Sequence, residues 1–117
     1  MAKIFHVLTP NEKNKNIRNN IYRPTSLEDD GFIHFSKADQ IETVIANFYS
    51  ECQELILWRV SESKLDDKLA YEAPLEAPNS GIKFPHYYKE LDMSFIEATF
   101  FLKPIDGKFT LPTDLID

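Results

Sequence analysis

The segment ELILWRV, residues 54–60, has no polar residue between Leu55 and Trp58. A strand with one wet face alternates polar and apolar residues, whereas a run like this one needs cover on both faces. It therefore reads as a central strand, with Trp58 near its end, and the rest of the chain must supply two layers around it. Upstream, Ile41, Val44, Ile45 and Phe48 recur at helical spacing and form the most secure helix of the chain. Ser36 and Asp39 precede that helix at the spacing of a capping box and predict its start, with Ser36 as the cap. Downstream, SFIEATFFLK (94–103) predicts a last long strand that Pro104 closes.

The remaining elements are shorter. KIFHVL (3–8) reads as a first strand with Ile4, His6 and Leu8 on one face and Phe5 and Val7 on the other. Thr9 before Pro10 is the pattern of an N-cap followed by proline at the first helical position, so residues 11–19 predict a polar surface helix ending at Asn19-Asn20. Ile21 to Arg23 should be extended before Pro24, and Thr25 to Asp30 should be a loop. GFIHFS (31–36) predicts a strand, Ser61 to Lys68 a turn, Leu69 to Glu72 a short strand, and Ala73 to Gly81 a loop. Strands and helices mix without a regular βαβ alternation, which indicates an α+β domain.

The whole chain of 117 residues, 43% hydrophobic, fits a single domain, residues 1–117, with 104–117 as a C-terminal extension whose order the pattern leaves open. A formal charge of −6 works against a phosphate-backbone ligand, so no nucleic acid is expected as a partner. The run Ile4 to Leu8 is too short for a signal segment or a membrane span, and no membrane is expected either. Cys52 is the only cysteine, which excludes an internal disulfide and suits a reducing, cytoplasmic location. Three separated glycines, Gly31, Gly81 and Gly107, exclude a phosphate-binding loop or a dinucleotide fingerprint.

The histidines carry what chemistry is visible. His6, His34 and His86 each lie in or beside an apolar strand-like segment, where an imidazole is either a satisfied core group or a residue of a cleft. His34 shares a strand face with Phe32 and Ser36, so ring and hydroxyl emerge together. His86 follows Pro85 and precedes two tyrosines, the makings of a rigid pocket wall. No two histidines stand at i, i+2 or i, i+4, so no metal site is assigned, and a three-histidine metal-dependent hydrolase is the outside alternative.

Taken in order, IFHVLTP (4–10), YRPTSL (22–27), GFIHFS (31–36), LILWRV (55–60), Tyr71-Glu72 and FPHYY (84–88) resemble a mainly bacterial family catalogued as domain of unknown function 952, over about residues 3–103. The resemblance implies an architecture similar to that of ADP-ribosyltransferases: α+β, with two small, mostly antiparallel sheets flanked by helices around a cleft that binds NAD in the enzymes. It further implies that His6 holds the nicotinamide ribose and that His34 stacks on the nicotinamide, with Ser36 beside it. The pattern departs from those enzymes where Val7 and Leu8 replace small residues and where FPHYY stands in place of a late-strand glutamate.

Together these readings give a histidine-lined cleft for NAD or another nucleotide-like anionic small molecule, serving an enzyme of ADP-ribosyl-transfer type. His34 and His86 are the candidate acid and base, with His6, Arg23, Ser26, Ser36 and Tyr88 as ligand-binding residues. The competing reading is a noncatalytic ligand- or protein-binding module that uses Tyr22, Phe84, Tyr87 and Tyr88. Oligomeric state and turnover are left open.

Overall fold

A computed structural model of the protein describes residues 2–116. The strands are β1 (Lys3–Leu8), β2 (Ile17–Arg18), β3 (Ile21–Tyr22), β4 (Ile33–His34), β5 (Leu55–Ser61), β6 (Leu69–Glu72), β7 (Phe84–Tyr87), β8 (Leu91–Asp92) and β9 (Ile96–Leu102). Three α-helices join them, α1 (Pro10–Asn16), α2 (Ser26–Asp29) and α3 (Ile41–Phe48). The fold is α+β, with three antiparallel three-stranded sheets in the orders β1-β5-β9, β2-β3-β8 and β4-β7-β6, where two sheets were expected.

The β5 strand is central, and the reason is visible in its two faces. Ile56, Trp58 and Val60 join Ile4, Leu8 and Tyr22 in one buried cluster, while Leu55 and Leu57 join Phe5, Val7 and Ile41 in the other. Burying each such side chain contributes roughly 1.5–3 kcal/mol, so an alternating strand could not have held both layers. The second layer is closed by α3 and by the C-terminal segment. Leu115 is buried there, and Arg59 Nη1 donates to the Leu115 carbonyl at 3.1 Å. Among the described residues no helix is long and apolar enough to cross a membrane.

Three local departures from the sequence reading have plain causes. The first helix stops at Asn16, because Asn19 (φ 52°) and Asn20 (φ 64°) form the two-residue turn of a hairpin pairing Arg18 with Ile21. Two successive positive φ values suit such a turn, and asparagine tolerates them. The stretch 25–30 contains a helical turn, where the amides of Asp30 and Gly31 both donate to the Ser26 carbonyl and Gly31 takes φ 90°. Ser36 does not cap the next helix. The turn Ala38–Gln40 starts there instead, with the Lys37 amide donating to Gln40 Oε1 at 2.9 Å, and Ser36 pairs through its backbone with Phe5 at 2.8 and 2.7 Å.

Candidate functional site

That bridge between Phe5 and Ser36 ties the end of β4 to β1 and opens a cavity of about 480 Å³ over the seam. His6, Tyr22 and Phe35 form its floor, α2 and the following turn supply Ser26 and Asp30, and His34 and Ser36 stand at the wall. Val44, Phe48 and Tyr49 approach from the end of α3, and Pro74, Leu75 and Glu76 from the loop after β6.

His6 is buried, and both ring nitrogens are engaged. Nδ1 lies 2.7 Å from the His34 carbonyl and Nε2 lies 2.8 Å from the Tyr22 hydroxyl. A carbonyl only accepts, so Nδ1 carries the proton, and the Tyr22 hydroxyl donates to Nε2. Burial pulls the His6 pKa down to about 4, against the raising effect of the His34 carbonyl, so the ring is neutral at neutral pH. Burial likewise holds the Tyr22 phenol protonated well above its ordinary value. The pair is a fixed, uncharged, hydrogen-bonded floor.

His34 is different in kind. Its side chain is exposed, and Nε2 donates to Asp30 Oδ2 at 2.8 Å. A carboxylate accepting from one ring nitrogen fixes the tautomer in which the other, Nδ1, carries a lone pair, the arrangement of an oriented proton acceptor. The Ser36 hydroxyl faces no protein hydrogen-bond partner among the described residues although the residue is only 4% exposed, and it lines the cavity.

The other sequence candidates lie elsewhere. His86 is on β7, directly across from His34 of β4, yet it is absent from the cavity wall. Its ring stacks on Phe32 at 3.9 Å between centroids and 17° between planes, and Nδ1 donates to Glu72 Oε1 at 3.0 Å. Glu72 sits diagonally across from His86, on the same sheet face, which lets the two side chains meet. Tyr88 donates its hydroxyl to that same Glu72 oxygen at 2.5 Å. Tyr88 holds the Glu72 carboxyl below its usual range, with His86 a second cause, and Glu72 in turn pushes the Tyr88 phenol up to about 12. Arg23 lies outside the cavity, 3.9 Å from Glu90, in a shallow groove beside the β2–β3 turn. Among the described residues no three His, Cys, Asp or Glu side chains gather as a metal would need.

The sequence reading did not single out Glu12, Asp30 or Glu76 as cavity residues. Asp30 and Glu76 sit in loop-like stretches and Glu12 in a polar helix, and only the fold brings them to one place.

The fold and site define an α+β protein with a histidine-floored cavity at the seam of its sheets. The chain belongs to the family described as "Protein of unknown function (DUF952)", whose pattern matches residues 7–99. It is similar to protein CC0527 from Caulobacter crescentus: the crystal structure of that protein shares 25% identity at a TM-score of 0.79 over 92% of this chain and 93% of the other. The solution structure of CC0527 shares 24% identity at a TM-score of 0.75, covering 93% of this chain and 91% of the other. No curated protein matches the chain.

Proposed function

We propose that the cavity is a small-molecule site with chemistry of the ADP-ribosyl-transfer type, its ligand being the nicotinamide-ribosyl end of NAD or a compound like it, in an ADP-ribosyltransferase-like fold. The observation that carries this reading is the Asp30–His34 pair at 2.8 Å, on the wall of a cavity floored by the neutral His6. In this reading His34 takes the proton of an attacking water or hydroxyl as the bond from ribose to nicotinamide breaks, and nicotinamide leaves with the bonding electrons as a neutral molecule. The cavity holds no lysine or arginine among its lining residues, so the pyrophosphate of such a ligand stays outside the part that grips the ring. A half-buried, unpaired Cys52 and a net charge of −6 go with a reducing cytoplasm and a partner other than nucleic acid.

A thermal-shift titration of wild type, Asp30→Asn and His34→Ala with NAD, nicotinamide and ADP-ribose tests the reading. A shift with NAD and nicotinamide that both variants lose supports it. A shift with ADP-ribose alone, or none with any ligand, overturns it.

One observation favours the noncatalytic alternative. Phe48 and Leu75 stand at the cavity rim, each 58% exposed, as apolar anchors for a partner would. Phe48→Ser that abolishes capture of a partner, with every small-molecule response unchanged, would favour it.

A further inference from the structure

We infer that the cavity selects a positively charged organic ligand, a pyridinium or ammonium group on a small body, over neutral and anionic compounds of the same shape. The inference rests on the reading of the cavity as a small-molecule site and adds its charge class. Three carboxylates line it, Glu12, Asp30 and Glu76, and no lysine or arginine does. Asp30 is engaged by His34, and one oxygen of Glu12 accepts from the Thr9 amide at 2.8 Å, which fixes that side chain and leaves its second oxygen free. Glu76 is exposed in the loop after β6 and lines the cavity. Even with His34 protonated, Glu12 and Glu76 leave the cavity with an excess of negative formal charge, and the buried His6 adds no compensating cation.

Acidic groups alone would describe a solvated surface. Here they surround a cavity whose lining also includes the accessible aromatic side chains of Phe48 and Tyr49, and aromatic faces attract cations through their quadrupoles. Ser36, a residue only 4% exposed, lines the cavity and adds a polar contact that an apolar void would not contain. An anion entering this space would meet the like charges of Glu12, Asp30 and Glu76. Lys37 and Lys83, on chain segments that flank the cavity, line the neighbouring groove instead.

The test is isothermal titration with two pairs of isosteres that differ in charge, 1-methylnicotinamide against nicotinamide and choline against 3,3-dimethyl-1-butanol, with nicotinate as the anion. The cation of at least one pair should bind tenfold or more tighter than its neutral partner, with nicotinate binding weakest. Glu76→Gln should erase most of that ratio, and Glu12→Gln part of it while preserving the acceptor for Thr9. A preference in the choline pair alone upholds the charge class and removes the nicotinamide reading. Equal binding within both pairs overturns the charge class, while binding of nicotinamide itself leaves the nicotinamide reading standing. Absence of binding by every probe overturns both.

Discussion

His6 and His86 are both buried, at 7% and 2% exposure, and each uses Nδ1–H to reach an oxygen, yet they belong to opposite kinds of site. His6 finds only uncharged partners, a carbonyl and a phenol, and the raising effect of the His34 carbonyl is outweighed by the loss of water around its charged form. His86 finds a carboxylate that opposes the same loss, and its pKa is lowered, with burial the first cause and Glu72 working against it. A neutral partner therefore fixes a ring as a structural and recognition element, whereas an acidic partner keeps a charged form within reach. Only the first of the two lines the cavity.

The largest effect that would break this contrast is His6→Ala. It removes a buried ring in contact with Tyr22, Phe35 and Trp58, and it strands the Tyr22 hydroxyl and the His34 carbonyl. A loss of about 3–4 kcal/mol is expected from urea denaturation at neutral pH. A loss under about 1 kcal/mol would show that the floor is not held as described.

Acidification tests the same residue without removing it. The unfolded imidazole takes its proton near 6.5 and the folded one only near 4, so between those values the unfolded state binds more protons and stability rises with pH. The contribution is fully present above 6.5 and is lost as pH falls toward 4, by about 3 kcal/mol at roughly 1.4 kcal/mol per unit. His86 acts in the same direction. Urea denaturation curves collected between pH 7 and 4 should slope downward for wild type and flatten markedly for His6→Ala.

The same distinction explains what the sequence made legible. ELILWRV could be read because a strand covered on both faces is locally unmistakable, and Ile41 with Ile45 because helical spacing is local too. Asn19-Asn20 was misread as a helix end because asparagine serves both helix termini and hairpin turns, and only the pairing of Arg18 with Ile21 decides between them. Ser36 satisfied a capping pattern on paper, but its backbone was taken by Phe5, a partner far away in the chain. The same holds at the site. His6, Ser26, His34 and Ser36 share one cavity, while Arg23, His86 and Tyr88 do not reach it, since strand register and cross-strand partners set where each ring ends. The charge of the cavity was the least legible feature, because it comes from three segments that folding alone assembles.

Two smaller effects sharpen the contrast. Tyr22→Phe keeps the buried ring but takes the donor from His6 Nε2, at a cost of about 1–2 kcal/mol. The unpaired nitrogen should then take up a solvent water or reorient, which a change in the His6 ring proton shifts would record. Unchanged stability and unchanged shifts would mean that the Tyr22 hydroxyl does not hold the ring.

The smallest effect belongs to the acidic partner of the other histidine. Glu72 is exposed enough that Glu72→Gln should barely alter stability, since pairs at the surface contribute little. Its consequence is electrostatic. The amide can still accept from Tyr88, but it no longer carries the charge that opposes phenolate formation, so the Tyr88 phenol should titrate well below about 12 in an absorbance titration. The same substitution removes a group that favours charged His86, so that ring should protonate at lower pH than in wild type and come to resemble His6. A Tyr88 titration and a His86 titration that both stay in place would mean that Glu72 is a bystander, and the contrast between the two histidines would then rest on burial alone.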